Sequence, residues 1–354
     1  MTKPSTVLVL AGIRSQYIKV AALQRVTNVR TSSEWTYVDV GQHYDDELAG
    51  QYVAEYDIRF ASQLQCGRPD LMPTEVLGRM IVALEGEIAQ RAPCVVMVLG
   101  DANCTLAGVL AATNLGVPVV HLEAGVRTHA PTTEERNRVV IDAVSGLHLA
   151  ASTADLQNLV DERRGATARF VGDVVQDLVR PLAESVPVSG EPYCVLTMHR
   201  AENTADSSAL EFVCSRLQEV GLPVYLLGHP RVLRMLTTRG VRLAGEVEVL
   251  PSTSHARLVE LLAGAAVVVT DSGALQREAY YVGTRAVVLQ EAPFWPSLVR
   301  AGYNLAVRPF SLTPQMVREA MEPFTGTFYD FGTPPVVDKV VESVEEWVDG
   351  FRAR

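Results

Sequence analysis

Acidic side chains recur where apolar runs give way to loops. Asp101 follows the run Cys94–Leu99 in Gly100-Asp101-Ala102-Asn103, and Glu123 follows Val117–Leu122 in His121-Leu122-Glu123-Ala124-Gly125-Val126-Arg127. A third acid, Glu134, lies in Thr133-Glu134-Glu135-Arg136-Asn137-Arg138. Carboxylates at the ends of buried strands can exchange protons with a ligand once desolvation or a neighbouring like charge lifts them toward neutrality. Each also has a structural reading: Asp101 as a helix N-cap, Glu123 as the partner of Arg127, and Thr133-Glu134 as a helix start.

Basic and small residues occupy equivalent places further along. His199-Arg200-Ala201-Glu202-Asn203-Thr204 follows an apolar run, as do Gly228-His229-Pro230 and Asp271-Ser272-Gly273-Ala274-Leu275-Gln276-Arg277-Glu278. Ser272 and Gly273 open a helix whose backbone N–H groups suit a pyrophosphate, with Glu278 within reach of a nucleotide ribose. Near the N-terminus, Ala11-Gly12-Ile13-Arg14-Ser15-Gln16-Tyr17-Ile18-Lys19 offers Arg14 and Lys19 at another helix start. It is not GxGxxG, so the dinucleotide fingerprint is absent. Structural histidines remain open for His199 and His229, a capped helix without ligand for Ser272 and Gly273, and an ordinary turn with solvated charges for Arg14 to Lys19.

The elements that must position these loops are short, apolar, β-branched runs separated by helical patterns. The runs are Val7–Leu10, Tyr37–Val40, Cys94–Leu99, Val117–Leu122 and Gly146–Leu149, then Tyr193–Met198, Val224–Leu227, Val247–Leu250, Ala266–Thr270 and Ala286–Leu289. Runs of this kind suit strands buried on both faces, and the alternation predicts doubly wound parallel sheets. Helical patterns include Leu77–Ile88, Leu106–Leu115 and an amphipathic tail, Val336–Phe351. A Pro- and Gly-bearing stretch, Glu184–Pro192, reads as a linker. The reading is therefore α/β with two Rossmann-like domains, 1–183 and 184–334, followed by a C-terminal helix. Ligands of such open sheets bind at the carboxyl ends of the strands, so an interdomain cleft is the expected site.

Composition narrows the function classes. The 354 residues exceed one ordinary core, and 48% hydrophobic with 20% charged residues describes a globular chain. A net charge of −10 argues against nucleic acid or an anionic membrane as a general partner. Five cysteines with no CxxC pair read as reduced thiols in a cytoplasmic protein. No apolar stretch approaches the roughly 20 residues that span a bilayer, and Met1–Leu10 lacks the pattern of a signal peptide.

Arg14 to Lys19, Gly41-Gln42-His43, Gly100-Asp101, His121 to Gly125, Glu134 to Arg138, His199 to Asn203 and Asp271-Ser272-Gly273 together resemble the non-hydrolysing UDP-N-acetylglucosamine 2-epimerases in order and approximate spacing, over nearly the whole chain. The resemblance implies a GT-B-like fold, with the C-terminal helix 335–354 joining the first domain 1–183, and epimerisation of UDP-GlcNAc to UDP-ManNAc at C2. It implies Asp101, Glu123, Glu134 and His199 as catalytic residues. The implied substrate-binding residues are Arg14, Lys19, Gln42, His43, Arg138, Arg200, Glu202, Asn203, His229, Leu258, Ser272, Gly273 and Glu278. A UDP-sugar and UDP are the implied ligands, with no cofactor, no metal and a homodimer. Ser15 to Lys19, His199 to Thr204 and Trp295 through Gly302-Tyr303-Asn304 are similar to a subgroup acting on UDP-2,3-diacetamido-uronic acids. Where family members often carry Arg-Pro-Glu, this chain has Phe294-Trp295-Pro296-Ser297, and Leu258 stands where some members stack an aromatic ring on uracil.

The implied chemistry is elimination of UDP to a 2-acetamidoglycal and re-addition, with a base on one face of C2, an acid on the other and donors for the departing diphosphate. The rival readings are a hydrolysing 2-epimerase, a GT-B glycosyltransferase and a non-catalytic nucleotide-sugar binder.

Overall fold

The computed structural model describes residues 5–29, 31–42, 46–186, 190–239, 241, 243, 245–251, 253–291, 293–326, 328 and 330–352. The chain divides into two compact units, Met1–Leu178 with Tyr329–Arg354, and Val179–Phe328. The first division falls inside the helix Gln176–Glu184, a few residues before the expected linker, part of which (187–189) lies outside the described residues.

The first unit is built on β1 (Thr6–Ala11), β2 (Glu34–Asp39), β3 (Ser62–Gln63), β4 (Val95–Leu99), β5 (Val119–Ala124), β6 (Leu147–Ala150) and β7 (Ala168–Phe170). They form one sheet in the order β3-β2-β1-β4-β5-β6-β7, every pair parallel. The central strands are completely buried because helices cover both faces, which is why their sequences are continuous apolar runs rather than alternating ones. Leu8, Leu10, Val96 and Val98 meet Met80, Leu84 and Ile88 of the Pro73–Arg91 helix and Ala107 and Ala111 of the Asn103–Asn114 helix in one apolar cluster.

The C-terminal helix, Val336–Arg352, belongs to this unit. It buries Val336, Val340, Val344 and Val348, at helical spacing, and its start is tied to Asp177, whose Oδ2 accepts the Val336 and Val337 N–H groups at 2.8 Å each. Farther along, Glu345 accepts hydrogen bonds from the Ser33 hydroxyl (2.9 Å) and the Trp35 indole (3.1 Å).

The second unit carries β8 (Cys194–Thr197), β9 (Val224–Leu227), β10 (Val247–Leu250), β11 (Val267–Thr270), β12 (Ala286–Val288) and β13 (Leu305–Ala306). The order is β10-β9-β8-β11-β12-β13, again all parallel, with the strand order reversing beside β8. Both units are therefore doubly wound, and their central loops leave from the carboxyl ends of β1, β4, β5, β8 and β11. The short edge strands β3, β7 and β13 lack apolar runs long enough to be visible in the sequence.

Candidate active site

In the first unit, two acids come together because β4 and β5 are neighbours. The register pairs Leu99 with Leu122, so Gly100-Asp101 and Glu123 leave adjacent strands at the same level. Gly100 turns with φ +63°, and a methyl group built on it falls 3.2 Å from a Glu123 carboxylate oxygen and 3.4 Å from Lys19 Nζ. Glu123 itself has φ +72°, a left-handed conformation that an L side chain adopts at a cost of about 1 kcal/mol. The β5–β6 register shifts between Leu122 and Ala124, so Glu123 sits at a bulge that re-aims its side chain.

Two cations answer these acids. Lys19, buried in the Arg14–Thr27 helix, pairs with Glu123. Arg138, buried in the Thr133–Val144 helix, pairs with Asp101 and, at 2.8 Å, with Glu135. Burial raises the Asp101 carboxyl above its ordinary value, Arg138 and Lys19 pull it down, and the Glu123 charge pushes it up again. A carboxyl lifted in this way is suited to taking and returning a proton.

The structural alternatives for these acids resolve differently. Asp101 is not the helix cap: Ala102 occupies that position with no side-chain cap. Glu123 does not pair with Arg127, whose guanidinium instead bonds Glu162 at 2.7 Å and Asp142 at 2.8 Å. The start of the Thr133–Val144 helix is capped by Thr132, and Glu135 accepts from Thr128 and His129 of the preceding loop. Glu134 stands exposed on that first turn, and no described hydrogen bond joins it to Asp101 or Glu123.

Arg14 opens its helix with the guanidinium 5.0 Å from the centre of the Tyr52 ring. The Gln42 side chain accepts from Cys104 N–H at 2.7 Å and so braces the start of the Asn103–Asn114 helix. His43 lies outside the described residues.

In the second unit one buried carboxylate gathers the polar loop after β8. Asp271 accepts the backbone N–H groups of His199 and Arg200 and the Asn203 side chain, each at 3.0 Å, and lies 3.0 Å from His199 Nδ1. Burial alone would raise its carboxyl; the His199 ring and these donors bring it below the ordinary value instead. His199 Nδ1 therefore carries hydrogen toward Asp271, which fixes the tautomer and leaves Nε2 for other work. The Arg200 side chain donates to the Asp271 carbonyl at 2.9 Å. The His229 ring lies 5.1 Å from that of His199, and Glu202 is exposed.

Ser272 caps the Gly273–Val282 helix, its hydroxyl accepting from Leu275 N–H at 3.4 Å. The Ser272 N–H donates to Thr270 Oγ1 at 2.9 Å, and Gly273 and Ala274 present the remaining donors of this turn. Gly273 lies against Phe294, and its carbonyl accepts from the Trp295 indole at 2.9 Å. Glu278 is buried on the same helix, 3.4 Å from His255 Nε2. Leu258 is only 5% exposed and packs among Val195, Leu262 and Val268, so its side chain is part of the apolar core.

Asp271, His121 and Asp142 were not singled out from the sequence, although Asp271 and His121 fall within quoted motifs. Asp142 had a signal: it shares a buried helix face with Asn137, Arg138 and Ile141, an unusual place for so many polar side chains. Among the described residues, no group of three or more His, Cys, Asp or Glu side chains is placed to hold a metal ion, and no helix is long and apolar enough to cross a membrane.

Comparison with known proteins gives a consistent set of relatives. A family model described as UDP-N-acetylglucosamine 2-epimerase matches residues 26–327. A UDP-2,3-diacetamido-2,3-dideoxy-D-glucuronate 2-epimerase from Pseudomonas aeruginosa is 32% identical over 320 residues, covering 85% of this chain and 88% of that protein. A UDP-N-acetylglucosamine 2-epimerase from Methanocaldococcus jannaschii is 26% identical, covering 84% and 87%. The crystal structure of the Methanocaldococcus jannaschii UDP-GlcNAc 2-epimerase in complex with UDP-GlcNAc and UDP superposes with a TM-score of 0.83 at 23% identity, covering 96% of this chain and 99% of that one. At that identity the likeness establishes the fold, which is GT-B-like.

Proposed function

Because the chain belongs to the UDP-N-acetylglucosamine 2-epimerase family, we propose that it inverts C2 of a UDP-linked 2-acetamido sugar without hydrolysing it, with UDP-GlcNAc and UDP-ManNAc as the first pair to consider. In this reading a base takes the proton from C2 while the C1–oxygen bond to UDP breaks, leaving a 2-acetamidoglycal. A diphosphate oxygen then adds back to C1 as a proton is delivered to C2 on the opposite face. Bonds broken and formed balance, and nothing is oxidised or reduced.

The reaction asks for two sets of groups. Proton carriers come from the first unit: Asp101 and Glu123, with Glu134 as a third acid carried over from the family pattern. Donors for the departing diphosphate come from His199 and the Gly273 helix start, together with Arg14. Donors of this kind stabilise the charge that develops on the leaving group once the bound ligand excludes water. The observation that carries the reading is the pairing of Asp101 and Glu123 on neighbouring strand ends, each with its own buried cation and with the Asp101 carboxyl raised.

A second reading, a UDP-2,3-diacetamido-uronic acid as substrate, is favoured by the Pseudomonas aeruginosa relative and by the Phe294-Trp295-Pro296 segment. That segment packs directly on the helix start assigned to the diphosphate, through Phe294 on Gly273 and the Trp295 hydrogen bond to the Gly273 carbonyl. In both readings the protein is cytoplasmic and works as a homodimer without cofactor.

Proton NMR of the protein with each UDP-sugar in turn tests the proposal. Conversion of one of them to its UDP-linked C2 epimer is expected. Release of free sugar, or no change in either, contradicts it.

A further inference from the structure

We propose that His121 and Asp142 form a buried positioning pair, with His121 protonated on both ring nitrogens, that sets the two turns bearing Asp101 and Glu123. His121 lies on β5 and is completely buried. Its Nε2 is 2.8 Å from the carbonyl oxygen of Gly100, and its Nδ1 is 2.7 Å from Asp142 Oδ1. A carbonyl oxygen only accepts, so Nε2 carries hydrogen. The other Asp142 oxygen accepts the Gly125 N–H at 3.1 Å and the Arg127 guanidinium at 2.8 Å, as an ionised carboxylate does. With Asp142 ionised, Nδ1 also faces an acceptor and also carries hydrogen. His121 is then an imidazolium, and with the buried Arg127 it faces the buried Asp142, while Arg127 also reaches the exposed Glu162.

The pair acts at both catalytic turns. The Gly100 carbonyl that it holds belongs to the peptide leading into Asp101, and Gly100 has φ +63°. The Gly125 N–H that it holds lies just beyond Glu123, and Gly125 has φ +85°. One carboxylate therefore ties together two turns in the left-handed region, and it does so through groups too buried to meet a ligand. A displacement of about 1 Å in a reacting group can cost about 100-fold in rate. The positioning role rests on the assignment of Asp101 and Glu123 as proton carriers; the charge of His121 does not.

The test has two arms. Nitrogen-15 NMR of the full-length protein near neutral pH, with His121 assigned by its loss in His121→Gln, is expected to show both ring nitrogens protonated; a bare nitrogen overturns the pair as described. In kinetics, Asp142→Asn and His121→Gln are expected to lower kcat about 10- to 100-fold with KM within about threefold, UDP binding unchanged and circular dichroism native. Glutamine keeps a donor for Gly100 while removing the charge, so His121→Gln should retain more activity than His121→Ala. Wild-type kcat in a folded variant, or a loss carried equally by KM, overturns the positioning role. Should Asp142→Asn fail to fold, His121→Gln and the NMR arm still decide. If Asp101→Asn keeps full activity, the functional reading fails whatever the NMR shows; if Asp101→Asn is inactive while the two positioning variants are not, the pair fails alone.

Discussion

The Lys19 ammonium and the Glu123 carboxylate form an ion pair at the carboxyl end of β5, where Glu123 occupies a backbone conformation that glycine would adopt more readily. A bulged strand, a left-handed residue and a buried counter-charge are combined at one acid. Local strain of this kind persists only where surrounding contacts hold it, and it concentrates at functional positions.

The strain at Glu123 is separable from its chemistry. Glu123→Ala and Glu123→Gly both remove the carboxylate, but only glycine relieves φ +72°. Glu123→Gly should be more stable than Glu123→Ala by about 1 kcal/mol in denaturant unfolding, with both inactive. An alanine variant at least as stable as the glycine variant contradicts the strained conformation.

Arg138 is one of the two cations that hold the Asp101 carboxyl down against burial and the Glu123 charge. Removing an adjacent opposite charge raises a carboxyl by about 1 unit or more. The acid limb of kcat/KM, where the base must be ionised, should therefore move to higher pH in Arg138→Gln. Arg138→Lys, which keeps the charge, should move it less. An acid limb in the same place in both variants removes Asp101 as the group that governs it.

Acid should destabilise the fold through Asp142 and Asp271. The His121 and Arg127 charges bring the Asp142 carboxyl from 3.8 to about 2 in spite of burial. A lowered carboxyl contributes stability that is complete above its unfolded value and is lost as pH falls through the folded one. For Asp142 the loss runs between 3.8 and about 2, and at 1.36 kcal/mol per unit it amounts to about 2 kcal/mol. Asp271, also lowered, adds in the same direction. Urea unfolding across that range should show stability falling toward low pH, and a flatter dependence in Asp142→Asn; equal slopes contradict the buried ion pair.

Much of the fold was legible because central strands buried on both faces must be continuous apolar runs, and those runs match β1, β4, β5, β8 and β11 closely. The strands β3, β7 and β13 left no such trace, being two or three residues long at sheet edges. At the site, motif residues were visible but their partners were not. Arg127 is four residues from Glu123 and looks like its counter-ion, yet the bulge turns Glu123 to Lys19, far earlier in the sequence. Asp271 opens a recognisable motif, but its work on the His199 loop depends on β8 and β11 being neighbours. Such pairings follow from strand order, which spacing along the chain does not encode.

The central claim is that Asp101 and Glu123 move the proton at C2. It is tested most directly by incubating the wild type, Asp101→Asn and Glu123→Gln in D₂O with the accepted UDP-sugar and following deuterium at C2. The wild type should place deuterium at C2 of the epimer, and each variant should do so at least about 100-fold more slowly while still binding UDP. An epimer that keeps its original C2 hydrogen, or variants that exchange it at the wild-type rate, would contradict the account.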